Sequence, residues 1–288
     1  MNRIGFAFFY LFSKALGSLP FTVIYGISGL LAFTLRKIIG YRKEVIHKNL
    51  TNSFPELNKD SLKKIKAKFY LNLSDVILEG VKAFTMSEEQ VLERYRILNP
   101  EIIQPYLQDG KGVICVTGHY GNWEWGALSP PLQIPARFVG FYKPVKNVLI
   151  DRFVRKNRSR FGTYLSPIRE TTKTFEENRG KAVIYLMAAD QSPSNRQAAY
   201  WAEFLGRDTA FLHGPEKHAR INDYPVVFVA IKRVKRGYYE ITLSVLADDP
   251  RQLAEGEITR RYAQNMEKMI REYPADWLWS HKRWKLIR

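Results

Sequence analysis

The sequence predicts an α/β fold in which a mixed, mainly parallel sheet is flanked by helices. Short apolar runs of the kind typical of buried strands alternate along the chain with segments of helical periodicity. The predicted strands are Val113–Val116, Ala136–Tyr142, Ala182–Met187, Pro225–Ile231 and Tyr238–Leu246. The predicted helices are Asn147–Arg160, Thr171–Asn178, Pro215–Asn222 and Glu257–Tyr273. Lys235-Arg-Gly237 joins the last two strands, so we expect them to form an antiparallel hairpin.

The amino-terminal region contains an uncharged run, residues 15–35, that is followed by four basic residues. About twenty apolar residues in a helix can span a hydrocarbon core of roughly 30 Å. The denser positive charge after the run places the following domain in the cytoplasm. The alternative is a shallow interfacial hairpin built from Ile4–Phe12 and Leu19–Leu35. In either case we expect residues 1–40 to be a membrane anchor.

The remainder of the chain divides into two further regions. Residues 41–100 are charged and helix-forming, with Leu and Ile at helical spacing through Leu62–Glu79. We interpret them as a helical layer that joins the anchor to an α/β core at residues 101–288. The 288 residues are enough for one large domain with a helical cap, and no repeat or Ser/Gly linker divides them.

The composition indicates a polyanionic partner. Lys and Arg number 45 against 28 Asp and Glu, a net charge of +17. Nucleic acid, anionic lipid headgroups and acidic carrier proteins would each fit this excess. The single cysteine, Cys115, excludes a disulfide within the chain and a thiolate-rich zinc site. His213 and His218 are five residues apart and share no helix face for a metal.

The strongest chemical signal is the segment VICVTGHYGNWE, which begins at Val113. It places His119 just after a predicted buried strand and Glu124 five residues later, where open α/β sheets bind their ligands. A carboxylate on the far nitrogen of a histidine makes a general-base dyad that can activate a substrate hydroxyl. The alternative is a histidine that caps a turn and a solvated glutamate. Gly118 and Gly121 allow the chain to turn, and we expect a short helix from Asn122 that ends at Pro130-Pro131.

Other polar positions are open to two interpretations. Asp190 follows the strand Ala182–Met187 and could cap the turn at Ser192-Pro193 or contact substrate. The segment 143–173 carries nine basic and two acidic residues, which form either a solvated helix face or an anion-binding surface. Near the carboxyl terminus, Trp277, Trp279 and Trp284 suit a membrane–water interface or a closed core equally well.

Several of these segments resemble one family. Gly118-His-Tyr-Gly-Asn-Trp-Glu124 resembles the His-x4-Asp/Glu block of the lysophospholipid acyltransferase superfamily, and more narrowly that of the lipid A biosynthesis (late) acyltransferases. Similar blocks follow in the family's order, over a match from residue 1 to 288. They are Phe141–Asp151 with Arg158–Gly162, Ala189–Pro193 with Phe204–Arg207 and Gly214-Pro215, and Trp277–Trp284.

The resemblance implies direct transfer of a fatty acyl chain from a thioester donor to a membrane lipid, a lipid A precursor or related glycolipid. His119 would take the acceptor's proton and Glu124 would orient His119. Substrate or oxyanion contacts are expected from Arg158, Asp190, Gly121 and Asn122. Donor docking is expected from Arg152, Arg155 and Lys156.

The resemblance also implies the setting of the reaction. We expect no metal and no bound cofactor, with acyl carrier protein or coenzyme A carrying the acyl group as co-substrate. We further expect a monomer at the cytoplasmic face of the inner membrane that contacts anionic lipids and acyl carrier protein, and not nucleic acid. The alternative is a non-catalytic module that binds anionic membranes or nucleic acid, which explains the charge but not the ordered blocks. A lipase-like hydrolase is disfavoured because the sequence has no G-x-S-x-G segment.

Overall fold

A computed structural model of the chain describes residues 3–197 and 199–288. Its strands are β1 (Tyr95–Ile97), β2 (Val113–Thr117), β3 (Arg137–Tyr142), β4 (Thr163–Pro167), β5 (Val183–Ala188), β6 (Ala199–Phe204), β7 (Arg207–Leu212), β8 (Val226–Lys235) and β9 (Tyr238–Ala247). Its helices are α1 (Arg3–Ser18), α2 (Phe21–Phe33), α3 (Lys43–Ser53), α4 (Lys59–Lys82), α5 (Glu88–Arg94), α6 (Gln104–Gln108), α7 (Pro130–Gln133), α8 (Val148–Arg158), α9 (Thr171–Glu177), α10 (Gly214–Asn222) and α11 (Glu257–Glu272).

Seven strands in the described part of the chain form one sheet. Their order is β1-β9-β8-β2-β5-β3-β4, and β6 and β7 form a separate antiparallel pair. Every pair in the large sheet is parallel except β8 with β9, which is antiparallel. The predicted mixed, mainly parallel sheet and its hairpin are therefore confirmed.

The centre of the sheet is buried on both faces, as a parallel sheet covered by helices requires. In β2, Ile114 and Val116 belong to one hydrophobic cluster, which includes residues of α3, α4 and α11. Val113 and Cys115 belong to a second cluster, which includes Trp125 and residues of α5. Alternate side chains of one strand thus face opposite layers. The loop after β2 therefore leaves the central strand of the sheet and not one of its edge strands.

The sequence patterns located five strands and four helices of the core and missed several other elements. Each of the four predicted helical segments of the core contains a helix, whose ends differ from the predicted ends by at most two residues. The strands β1, β4, β6 and β7 were not predicted, and β1 lies inside the segment interpreted as a helical layer. The expectation that Pro130-Pro131 ends a helix is wrong: a 3₁₀ turn at Trp125–Ala127 comes first, and Pro130 begins α7. Proline suits the first turn of a helix because the backbone N–H that it lacks would have no hydrogen-bond partner within the helix there.

The amino-terminal region forms two helices, α1 and α2, with a break at Leu19-Pro20. The uncharged run 15–35 is therefore not one straight helix, because Pro20 interrupts it. Among the described residues, the one stretch long and apolar enough to cross a membrane is Phe21–Ile38. Ile24, Ser28 and Ala32 are buried where this stretch packs on α4, and its other residues are half-buried or exposed.

The tryptophans near the carboxyl terminus belong to the core. Trp277 and Trp279 are 2% and 0% exposed, and their rings meet edge to face at 4.7 Å. Trp284 packs against Trp277 and Phe204. The membrane-interface interpretation of these residues is therefore wrong.

Candidate active site

Two side chains meet at the carboxyl edge of the sheet because their strands are neighbours. β2 and β5 are parallel, with Thr117 opposite Ala188. His119 and Asp190 each follow two residues beyond that pair, so they reach the same point. His119 Nδ1 lies 2.7 Å from Asp190 Oδ1, and the His119 backbone amide donates to Asp190 Oδ2 at 2.9 Å. The register of one strand pair thus brings these two groups together.

The surroundings of Asp190 keep it charged. Its side chain is 4% exposed, and the indole of Trp277 donates to Oδ2 at 2.9 Å. Burial alone would raise the pKa of Asp190, but the charge and hydrogen bonds of His119, with Trp277, hold it at about 2. Burial alone would lower the pKa of His119, but Asp190 and then Glu124 reverse this effect, so its pKa is raised. An ionised Asp190 places the neutral imidazole's proton on Nδ1.

The other ring nitrogen of His119 is consequently the basic one. Its Nε2 atom lies 3.2 Å from the side-chain amide nitrogen of Gln191, which can donate to it. The His119 side chain is 21% exposed, so a substrate hydroxyl can reach it. Sequence reasoning gave Gln191 no role of its own, although it lies beside Asp190 in the block that carried the family resemblance.

The expectation that Glu124 holds the far nitrogen of His119 is wrong, because Asp190 takes that position. Glu124 instead pairs with Arg158: Nε of Arg158 donates to Glu124 Oε2 at 3.1 Å, and Nη2 contacts the same oxygen. Both side chains are partly exposed, at 31% for Arg158 and 26% for Glu124. The charge of Glu124 still raises the pKa of His119. The site is therefore a His–Asp pair with a buried carboxylate, beside a more exposed Glu–Arg pair.

Two residues expected to contact substrate have structural roles. The Gly121 amide donates to the carbonyl of Asp276 at 3.0 Å, so it is not available to an oxyanion. Gly121 has φ +55°, and a Cβ there would lie 2.9 Å from Ile231, which is why only glycine fits. Asn122 is 0% exposed and donates to Glu79 Oε2 at 2.7 Å. The sequence does not reveal these buried partners, and substrate contact by Gly121 and Asn122 stays a prediction.

Gly118 allows the loop after β2 to approach the core closely. A Cβ at this position would lie 2.5 Å from the Met266 side chain and 3.2 Å from Asp190 Cγ. Those distances are shorter than van der Waals contact. The glycine is therefore part of the geometry that lets Asp190 hold both the backbone and the ring of His119.

An apolar cavity of about 230 Å³ adjoins these charges. Glu124 and Arg158 lie in its wall with Trp123, whose ring centroid is 5.4 Å from that of His119. The apolar part of the wall comes mainly from α4 and the two residues that follow it, and α8 adds one side chain. It consists of Val76, Ile77, Gly80, Val81, Ala83, Phe84, Leu128 and Val154. The cavity could hold a short length of hydrocarbon next to the polar groups.

The basic residues predicted to dock a donor lie on α8, beside the cavity. Arg152, Arg155 and Lys156 are all exposed. The opposite face of the same helix carries Phe153, which packs against Phe84 at 4.7 Å. The helix thus presents cations to solvent within two turns of Arg158.

The histidines outside the site have other surroundings. His281 Nε2 accepts the Ser192 backbone amide at 3.1 Å, and His218 stacks on Phe175 at 4.3 Å. Within residues 3–197 and 199–288, no group of three His, Cys, Asp or Glu side chains is arranged to hold a metal ion.

Comparison with known proteins identifies relatives along nearly the whole chain. The sequence pattern of the family described as bacterial lipid A biosynthesis acyltransferase matches residues 1–286. The lipid A biosynthesis lauroyltransferase of Escherichia coli (strain K12) is 24% identical over 271 residues, which are 93% of this chain and 87% of that protein. A lipid A biosynthesis acyltransferase of Haemophilus influenzae is 21% identical over 255 residues, which are 88% of this chain and 80% of that protein.

We predict that His119 titrates above 6.5, the value of an isolated histidine side chain, because the Asp190 carboxylate favours the charged ring. Asp190→Asn removes that charge and leaves the ring buried, so the pKa of His119 should fall below its wild-type value. NMR of protein labelled with ¹⁵N-histidine, titrated from about pH 5 to 9, measures both values. His119→Ala assigns the resonance.

Either of two results would contradict this prediction. One is a His119 resonance in wild-type protein that titrates at or below 6.5. The other is an unchanged titration in folded Asp190→Asn protein.

Proposed function

The chain belongs to the bacterial lipid A biosynthesis acyltransferase family, and from this premise we propose that it transfers a fatty acyl chain from a thioester donor to a lipid A precursor, with His119 as general base. The names of both relatives support this acceptor, since each refers to lipid A biosynthesis. The observation that carries the mechanism is the 2.7 Å contact between His119 Nδ1 and Asp190, which makes Nε2 the nitrogen that can take a proton. Membership of an enzyme family argues against the non-catalytic binding module.

The reaction proceeds by direct attack of the acceptor hydroxyl on the thioester carbonyl. His119 Nε2 takes the hydroxyl proton as the new carbon–oxygen bond forms, and a tetrahedral intermediate results. The carbon–sulfur bond then breaks, and the imidazolium returns its proton to the departing thiolate. Asp190 stabilises the imidazolium between these two steps, because it is already ionised beside Nδ1. A thiolate is a good leaving group, so no second acid is needed.

Arg158 is the group we assign to the developing negative charge. Its guanidinium is partly exposed in the cavity wall, where a thioester carbonyl would lie if the acyl chain filled the cavity. Glu124 fixes the guanidinium by accepting from two of its nitrogens. A preorganised cation of this kind stabilises the tetrahedral oxyanion without reorganising during the reaction. Glu124 therefore acts on both neighbours, since it orients Arg158 and raises the proton affinity of His119.

The acyl chain occupies the apolar cavity between α4 and α8. Most of its wall is apolar, and its polar members, Glu124, Asn157 and Arg158, would lie toward the reacting carbonyl. Burying a methylene in such a site contributes about 0.8 kcal/mol, so the cavity favours an aliphatic donor. Gly80 is in this wall, and a Cβ there would approach Glu124 Cγ at 3.6 Å, an ordinary contact.

The donor is an acyl carrier protein that docks on α8. The exposed cations Arg152, Arg155 and Lys156 match an acidic partner, and they lie next to Arg158 at the cavity wall. Opposite charges on two surfaces speed their encounter and fix their orientation. Coenzyme A is the second candidate donor, since it presents the same phosphopantetheine thioester.

The protein acts at the cytoplasmic face of the inner membrane. The stretch Phe21–Ile38 is long and apolar enough to enter a bilayer, and α1 exposes Phe8, Leu11 and Phe12. The basic residues that follow this region would contact anionic headgroups. The neighbouring α1 packs on Phe153 of α8, so the cavity wall lies close to the proposed membrane surface.

We expect His119→Ala to lower kcat by about 10²–10⁴-fold, the usual contribution of a positioned general base. In wild-type protein kcat/KM should fall as the pH is lowered, with a midpoint above pH 6.5, because His119 must be neutral to act as a base. Asp190→Asn should move that midpoint to lower pH. Acyl transfer to a purified lipid A precursor measures these quantities.

His47→Ala is the matched control, because His47 is exposed on α3 and should leave kcat unchanged. A folded His119→Ala protein that keeps activity within a few-fold of wild type would refute the general-base assignment.

We expect reversal of the three cations on α8, as Arg152→Glu, Arg155→Glu and Lys156→Glu, to raise the KM for acyl carrier donor about 10-fold. The kcat should change less, because these residues would not touch the reacting carbonyl. Added salt should raise the wild-type KM in the same way, since exposed charges are screened over about 10 Å at 0.1 M.

Reversal of Lys59, Lys63 and Lys64 on α4 changes the net charge equally and serves as the control, because all three are exposed. If neither salt nor reversal on α8 affects the donor KM, then coenzyme A becomes the preferred donor and the basic face serves lipid headgroups.

A further inference from the structure

A buried carboxylate lies behind the loop that carries His119 and Glu124. Glu79 of α4 is 0% exposed, and burial raises its pKa. Three groups donate to it: the Tyr25 hydroxyl to Oε1 at 2.9 Å, and the Asn122 amide and the Tyr239 hydroxyl to Oε2, both at 2.7 Å. These donors come from α2, the loop and β9. Glu79 therefore joins three separate parts of the fold at one point.

Glu79 also contacts the loop through its backbone. Its carbonyl accepts the indole N–H of Trp125 at 3.0 Å, and the Trp125 amide donates to Asn122 Oδ1 at 3.0 Å. Asn122 and Trp125 are both 0% exposed. Glu79 thus holds both ends of the segment Asn122–Trp125, and Glu124 lies inside it. Since this segment is irregular up to Trp125, side-chain hydrogen bonds take the place of a regular backbone ladder.

The first half of the same loop is held from elsewhere. The Leu278 amide donates to the His119 carbonyl at 3.1 Å, and the Gly121 amide donates to the Asp276 carbonyl at 3.0 Å. The segment after β2 is therefore fixed by two supports, one near the carboxyl terminus and one on α4. The separation of His119 from Glu124 depends on both of them.

We propose that Glu79 is a positioning residue for acyl transfer, which fixes the segment Asn122–Trp125 and so holds Glu124 beside Arg158 and near His119. The inference rests on the proposed catalytic role of the loop. It assigns to Glu79 no contact with substrate. A displacement of about 1 Å at a reacting group can cost 10²-fold in rate, so a support two residues from Glu124 can control turnover.

The test compares Glu79→Leu with Glu79→Gln. Leucine removes the acceptor and leaves the Asn122 amide without a partner. Glutamine keeps an oxygen for Asn122 and Tyr239, and the Tyr25 hydroxyl can reverse to accept from the new amide. We expect Glu79→Leu to lower kcat about 10–10²-fold with little change in donor KM, and Glu79→Gln to restore kcat to within a few-fold of wild type.

Ser28→Ala is the control for a loss of packing between α2 and α4. Ser28 donates to Asp75, one turn before Glu79, at 2.5 Å, and the other hydrogen bonds of the Asp75 carboxylate among the described residues are to Arg233 and Arg236. This variant should keep the wild-type kcat even if its melting temperature falls. If Glu79→Leu does not fold, Asn122→Ala cuts the same link from the loop side and should give the same loss in kcat.

Combining Glu79→Leu with Glu124→Gln distinguishes a residue that positions Glu124 from one that supports the fold in general. If Glu79 acts through Glu124, then Glu79→Leu should lower kcat by a smaller factor in Glu124→Gln protein than in wild-type protein. Full kcat in folded Glu79→Leu, equal losses in Glu79→Leu and Glu79→Gln, or the same fold-loss in both backgrounds would each overturn the inference. Failure of the proposed function would be separate, since it would appear as an active His119→Ala protein.

Discussion

The site depends on the parallel pairing of β2 with β5. The pairing of Thr117 with Ala188 fixes where the two chains leave the sheet, and two residues later His119 and Asp190 meet. The same Asp190 accepts the backbone amide and the ring of His119 and the indole of Trp277. A shift of one residue in this register would turn one of the two side chains to the other face of the sheet. The strand pairing therefore sets the position, the tautomer and the raised pKa of His119, the proposed base.

Buried charges join the amino-terminal helices to the catalytic core. Arg233 of β8 lies 3.1 Å from Asp75 and 3.2 Å from Asp276, and all three side chains are at most 8% exposed. Ser28 donates to Asp75 and Tyr25 donates to Glu79, so α2 is bound to the same stretch of α4 that supports the loop. Removal of one partner from such a network leaves a buried charge unpaired and is costly. We infer that the proposed membrane anchor and the active site are held in one fixed arrangement by α4.

The sequence predicted the features that repeat and missed those that depend on a single contact. Periodicity located β2, β5 and the hairpin of β8 and β9, and glycine spacing marked the loop of His119. The sequence could not show which carboxylate would reach His119, because Asp190 follows another strand. No local pattern encodes the register of that strand with β2. Glu79 was visible only as a carboxylate among the apolar positions of α4, and its three donors lie 43, 54 and 160 residues away. Trp277 looked as suitable for a membrane surface as for the core until its partner was known.

We propose that the acyl chain passes directly from donor to lipid, with His119 moving a proton and no residue carrying the acyl group. Rapid-quench single turnover with acyl carrier donor and acceptor lipid, followed by intact mass measurement of the protein, tests it most directly. We predict acylated lipid to appear while the protein keeps its unmodified mass at every time point. A protein heavier by one acyl group, formed and consumed as fast as product appears, would contradict the account.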